Sequence, residues 1–576
     1  MVECLLPKQD VVGSIPITRS NVVVNMKNLK YFDCNSIVGP RPHKHPKERW
    51  STTHLLEDMK LAEISGALVT HSSAIHYESM YGNLRLLKEI EEYSDILFGS
   101  WCVDPIGDPG FFSKSADMIK SMNENKIRAV RLVPGSYSLH KDLMGETLDS
   151  LENNKILTLM EVGSIRNMQA WGANDVFSFF HEFLNRYKSL PVLFTNHYWF
   201  QQQHIHKLMS LHENLHLEFS DYQINRGIEK YVEDFGDQRL LFGSGMTSRS
   251  PGAARAYIDY AQISDKSKEQ IANKNLSRLL KGLEPIDINP NELRDDKIIE
   301  LAREGIPISS HVIDAHSHIL HEGGQSGSPL GPIMLDGDAK GVIELNRWCG
   351  IDQIAMMTWN GPVCTDAIDG NKIVSRAMLN FKEEVFGVAV IDPTHMSEEE
   401  ISSEIELRYL KQGFIGMKPY VQMDLSYEDP AFDQWWEFGN NHNLYALMHT
   451  FESPHTGGLD AIKRLANKYP NVSWLIAHSA ASYKYIDEVA ECINSTKNVF
   501  AEITFTNVPS RSIKYLNDLI GDEKIIFGTD QPMRDPRQQL GWVIWEDLSI
   551  KSRENILGNN FQKIISRVKL PKNNYK

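Results

Sequence analysis

Two histidines one residue apart, His316 and His318, close a short apolar, β-branched run that opens at Val312. Such a run reads as a buried strand. In a strand, residues i and i+2 face the same side, so the two imidazoles form half of a metal site. The plain alternative is a pair of core histidines that alternate by accident. It loses weight further along, where other apolar runs also end in polar residues. Lys418 follows Gly416-Met417, His449 follows Tyr445–Met448, His478 follows Trp474–Ala477, and Asp530 follows Ile526–Thr529. Singly each has an ordinary explanation, a satisfied core histidine or, for Asp530, a helix cap. Gathered at the ends of neighbouring strands, they are hard to explain without a metal.

The elements that would gather them follow from the rhythm of the chain. From Val312 onward, eight short apolar runs alternate with amphipathic stretches over about 265 residues, the size of a (β/α)8 barrel. Reacting groups in such barrels sit at the C-terminal ends of the strands. The first half repeats the pattern at a separation of about 285. Phe242-Gly243-Ser244-Gly245 lines up with Phe527-Gly528-Thr529-Asp530, Gly82-Asn83 with Gly370-Asn371, Val103-Asp104-Pro105 with Ile391-Asp392-Pro393, and Asp33-Cys34-Asn35-Ser36 with Asp314-Ala315-His316-Ser317. A collinear series of this kind is a duplication. The expected architecture is α/β, two tandem TIM barrels joined by a helical linker. Its parts are an N-terminal extension (1–29), a first barrel (30–285), a linker (286–307) with a helix over Asn291–Arg303, and a second barrel (308–576).

The second half resembles the amidohydrolase superfamily, in the amidohydrolase-2 branch that holds decarboxylases of the aminocarboxymuconate semialdehyde type. The residues that carry the resemblance are His316-Ser317-His318, His449, His478 and Gly528-Thr529-Asp530. It implies that His316, His318, His449 and Asp530 ligate a divalent ion, with His478 beside them on substrate, activated water or a second metal. Three imidazoles and a carboxylate suit Zn²⁺, with Mn²⁺ and Fe²⁺ as alternatives. Asp530 and His478 are then the catalytic residues, since Asp530 can both ligate and accept a proton. Some members of the superfamily carbamylate the strand-four lysine to bridge two metals; Pro419-Tyr420 after Lys418 favours one ion. The resemblance implies a metal-dependent hydrolase acting on a C–N or C–O bond, or a non-oxidative decarboxylase on the same scaffold. A non-catalytic binding scaffold is the third reading.

Substrate-facing candidates are Lys418, Tyr420, Trp359 and Arg534, with Arg537 a second arginine able to clamp a carboxylate. The glycine- and serine-rich run His321–Pro332 reads as a lid. In the first half the same alignment puts Asn35, Ile37, Glu161, Asn196 and Gly245 where the second half has His316, His318, His449, His478 and Asp530, and Arg131 opposite Lys418. Isoleucine and glycine side chains cannot ligate, so the first barrel reads as a pseudo-enzyme domain. It could replace the partner of a homodimer and present Arg131 or a loop arginine to the active half. His43-Lys44-His45 imitates the two-histidine motif, but in a polar loop.

Composition narrows the rest. A formal net charge of -15 without long basic runs argues against nucleic acid and anionic membranes. The six cysteines are scattered and form no CxxC pair. No apolar run approaches the ~20 residues of a membrane helix, so the expectation is a cytoplasmic protein with a small-molecule substrate, compatible with homo-oligomers. Val11–Ser20 resembles a mistranslated transfer-RNA T-arm, which makes Met26 the expected start.

Overall fold

The structure, a computed structural model, describes residues 29–571 apart from 43, 108–110, 135–138, 140, 163–175, 198–200, 328–331, 361–365, 420–422, 452 and 507–508. The extension with the Met26 start, Tyr420, His43 and part of the proposed lid therefore lie outside the described residues. Among the described residues no helix is long and apolar enough to cross a membrane.

Each half is a sheet of eight parallel strands in sequence order with helices between them. The first comprises β1 (Phe32–Val38), β2 (Gly66–His71), β3 (Leu97–Cys102), β4 (Ala129–Leu132), β5 (Leu157–Glu161), β6 (Val192–Thr195), β7 (Leu215–Glu218) and β8 (Leu240–Leu241). The second comprises β9 (Ile313–Ile319), β10 (Gln353–Thr358), β11 (Val385–Ala389), β12 (Gly416–Met417), β13 (Tyr445–Met448), β14 (Ser473–Ile476), β15 (Val499–Glu502) and β16 (Ile525–Ile526). Backbone hydrogen bonds close each sheet on itself. Cys34 N donates to Phe242 O at 2.9 Å and Ala315 N to Phe527 O at 3.1 Å. The chain is two tandem α/β TIM barrels.

Each barrel buries two apolar layers, as parallel strands covered on both faces must. In the second, Ile313, Ala315, Ala355, Tyr445, Leu447 and Leu475 fill the lumen, whereas Ile319, Met356, Ala446 and Trp474 meet the helical shell. One detail of β9 was not anticipated. Ile354 pairs with Asp314 and Met356 with Ser317, so Ala315 and His316 together oppose Ala355. This bulge shifts the side-chain phase. Ala315 completes the lumen floor, and His316 and His318 follow at the mouth. Strand β1 has its irregularity at the same place, between Asp33 and Ser36. The strand runs through both histidines to Ile319.

The barrels pack through the helices that follow their eighth strands, Pro251–Asp259 and Pro536–Ile544. Two glycines let the backbones touch: a Cβ on Gly541 would lie 2.3 Å from Gly252 O. We expect Gly541→Val to lower the unfolding midpoint by the equivalent of about 1–3 kcal/mol of overpacking, read by urea denaturation of the full chain. The linker helix is shorter than expected, Lys297–Arg303, because Asp296 caps it by accepting from Ile298 N and Ile299 N. Arg303 then grips Glu63 of the first barrel at 2.7 and 2.8 Å.

Candidate metal centre

The mouth of the second barrel collects the polar strand ends. From β9, His318 Nε2 stands 3.0 Å and His316 Nε2 3.6 Å from Asp530 Oδ1, which follows β16. The His478 ring, just past β14, is 5.3 Å from that of His316 and 4.8 Å from that of His449, which follows β13. The tightest group that could hold an ion is His316, His478 and Asp530, whose ligand atoms lie within 4.8 Å of one another. All three are buried. His478 thus stands within reach of the same ion as the four residues expected to ligate it.

The donors are in the right state for an ion. Burial, reinforced by the Lys418 charge, holds His316 well below its ordinary pKa and pushes His318 and His449 down to about 3. Burial with the neighbouring His449 does the same to His478. All four are neutral imidazoles with a lone pair to give. The tautomers are set from outside. His478 Nδ1 donates to Thr504 O at 2.7 Å, which leaves Nε2 as the lone-pair nitrogen. His316 Nδ1 meets Glu502 Oε2 at 3.0 Å, so its Nε2 turns to Asp530. Neutral nitrogens and a carboxylate oriented in this way fit a divalent ion.

Glu502 is the residue that sequence reasoning passed over. It ends β15 fully buried, and burial raises its pKa to about 7. It accepts from His478 N at 3.3 Å and from Thr504 N at 2.7 Å while facing His316. An acid closing an apolar strand, with Glu218 at the same place in the first half, was the available signal. Glu502→Gln is expected to weaken metal binding about 10–100-fold, measured by calorimetric titration of the metal-free protein. Asp314 plays a matching structural part. It accepts from His316 N at 2.9 Å and Thr529 N at 3.0 Å, tying β9 to the strand that carries Asp530.

The substrate candidates divide. Lys418, 2% exposed, is held down to about 8 by burial, and its charge acts on His316, His318 and His449. Arg534 is also buried. It donates to the Asp530 carboxylate and the Thr506 hydroxyl rather than pairing with Asp535. Trp359 lies edge-on to His318 at 5.5 Å and lines the wall. Tyr420 is outside the described residues. Arg537 is no substrate clamp. Fully buried, it lies between Asp535 and Glu229 of the first barrel. His45 likewise has a structural setting, stacked on Tyr483 and 3.0 Å from Asp487 of the second barrel.

The first barrel keeps the supports and replaces the centre. Asp33 accepts from Ser244 N at 3.1 Å as Asp314 does from Thr529, and Glu218 from Asn196 N at 3.1 Å as Glu502 does from His478. Asn196 and His478 share a left-handed backbone, with φ of 52° and 61°. Inside this frame Arg131, wholly buried, donates to Glu161 at 2.6 Å, Asn35 at 2.8 Å, Thr70 at 3.1 Å and Thr195 at 3.3 Å. A guanidinium thus takes up the acceptors around the barrel axis. The expectation that Arg131 reaches into the active half fails for the same reason, since its donors are spent on its own barrel.

The family model for amidohydrolases matches residues 361–564. None of the curated proteins matches the chain. Among solved structures, the chain is similar to an uncharacterised TIM-barrel protein from Bordetella bronchiseptica (13% identity over 45% of this chain and 99% of that one, TM-score 0.36). It is also similar to 2,6-dihydroxybenzoate decarboxylase from Rhizobium (13%, 45% and 99%, 0.37) and to a probable 2-pyrone-4,6-dicarboxylic acid hydrolase from Acinetobacter baumannii (13%, 44% and 99%, 0.35).

Proposed function

We propose, for a chain whose second barrel belongs to the amidohydrolase family, that this barrel holds one divalent ion, zinc first, and removes CO₂ from a small carboxylate-bearing substrate. The observation that carries the reading is the pair of buried cations, Lys418 and Arg534, set against neutral imidazoles. Within the barrel Lys418 feels the Glu502 charge and Arg534 faces Asp530, and a substrate carboxylate at the mouth would add a further counter-charge to these buried cations. His316, His318, His449, His478 and Asp530 are the residues that would hold the ion. When bound, it supplies Lewis-acid polarisation of a substrate oxygen.

Hydrolysis, the other reading, asks Asp530 to accept a proton from water. Its Oδ2 is already paired with Arg534 and its Oδ1 faces His318 Nε2 at 3.0 Å, so both oxygens have a partner. Decarboxylation makes a different demand. The C–C bond breaks, CO₂ leaves, and the electron pair left on carbon takes up one proton. A dry, cation-lined wall strips water from the carboxylate, and Lys418 carries a proton to return.

The test is to load the full chain with Zn²⁺ or Mn²⁺ and screen aromatic hydroxy-carboxylates and β-keto acids in ¹⁸O-water. CO₂ release without ¹⁸O in the other product supports the proposal. Incorporation of ¹⁸O with no CO₂ makes the protein a hydrolase. A metal-loaded protein silent in both assays and against esters and amides overturns the enzyme reading.

A further inference from the structure

The barrel without ligands sits against the one with them at a particular place. The first barrel's loop after β7, residues 219–226, meets both loops that surround Asp530. Within it Gln223 is 2% exposed and uses its side chain and its main chain. Its Nε2 donates to Thr506 O at 2.7 Å, on the loop after β15. Its carbonyl accepts from Asp535 N at 3.0 Å, on the loop after β16. Its Oε1 accepts from Gln539 Nε2 at 3.2 Å, and Gln539 Nε2 also donates to Phe505 O at 3.2 Å. Nearby, Arg226 N donates to Asp535 Oδ2 at 2.9 Å.

Thr506 and Asp535 are the two flanks of Arg534. The Arg534 guanidinium bonds the Thr506 hydroxyl at one end and the Asp530 carboxylate at the other. Gln223 therefore stands behind a short chain that runs from Thr506 through Arg534 to Asp530. We propose that Gln223 is a positioning residue for the second barrel's centre: it pins the loops after β15 and β16 so that Arg534 stays on Asp530. The first barrel then serves as a built-in brace for the second. Its contribution is an amide rather than the arginine expected from the sequence. The proposal rests on Asp530 being a ligand, and its physical basis is that groups outside the ligand set orient it.

The experiment uses the full chain with Gln223→Ala, Arg534→Ala and the double variant, each made metal-free and titrated with Zn²⁺. Gln223→Ala is expected to weaken binding about tenfold, and the double variant to bind no more weakly than Arg534→Ala alone, the mark of residues acting through one another. Gln223→Glu, which keeps the acceptor for Gln539 but loses the donor to Thr506, is expected to behave as Gln223→Ala does. Additive effects, or affinity unchanged in Gln223→Ala, would overturn the proposal. Hydrogen exchange on the metal-free proteins separates the brace from the metal reading. Faster exchange in Gln223→Ala across 503–506, with the rest of the chain unchanged, supports the brace even if the wild type takes up no ion; the 534–537 segment keeps its main-chain bond to residue 223. Unchanged exchange there rejects it.

Discussion

Writing the first barrel's residues into the second, as His316→Asn with His318→Ile, is expected to leave a folded protein that has lost its ion. Elemental analysis of the full chain should read about one zinc or similar ion per chain in the wild type, and background in the variant. Two of the four imidazoles are removed, and His449, His478 and Asp530 alone make an incomplete ligand set for a borderline ion. Replacing outer partners of a ligand already costs about 10–100-fold in affinity, so removing two direct donors should cost more than about 10³-fold. Folding is expected to survive, because the same fold position already tolerates Asn35 and Ile37 in the first barrel, on a strand with a bulge at the same place. A variant that kept its ion would move the centre away from β9. Two ions in the wild type would bring Lys418 into question as a carbamylated bridge.

Arg537→Met is expected to cost about 3–5 kcal/mol, the cost of stranding buried partners of an ion pair. Its guanidinium is fully buried and meets Asp535 Oδ2 at 2.7 Å and Glu229 Oε2 at 3.0 Å, one carboxylate from each barrel. Glu229 is held below its ordinary pKa by Arg537, against the opposing effect of burial. Methionine fills some of the volume but leaves two acids facing each other across the interface. The loss should show as an earlier transition in urea, followed by tryptophan fluorescence from Trp545 and its neighbours at the interface. Adding Glu229→Gln to Arg537→Met should recover part of the loss, because one of the two stranded charges is then gone. An Arg537→Met protein as stable as the wild type would mean that the barrels do not depend on this contact.

Much of the protein is local in its signals, and those parts are legible in one dimension. The alternation of apolar runs with amphipathic stretches announces parallel strands covered by helices. The collinear repeat announces two copies, and a histidine or aspartate closing such a run marks the barrel mouth, because strand ends share one face by topology. Ile37 and Gly245 cannot ligate in any fold, so the loss of the first copy's ligand set is equally a sequence fact. Other features depend on contacts between distant residues. The role of Glu502 exists only where barrel closure brings the end of β15, across β16, to His316 on β9, with 186 positions between the two residues. Arg534 and Arg537 look alike in the chain, three residues apart. The fold turns one onto Asp530 and buries the other between two barrels, since each follows the nearest unpaired carboxylate in space. Arg131 is spent within its own lumen for the same reason. The bulge that phases Ala315 and His316 has no residue signature, because it is set by register against β10. What the sequence by itself determined is the kind of barrel, its duplication and which copy carries the histidines and aspartate at its mouth. Which nitrogen of His316 and His478 is free, which arginine meets Asp530 and which residues join the two barrels were decided by tertiary structure, because hydrogen bonds and ion pairs are made across space, not along the chain.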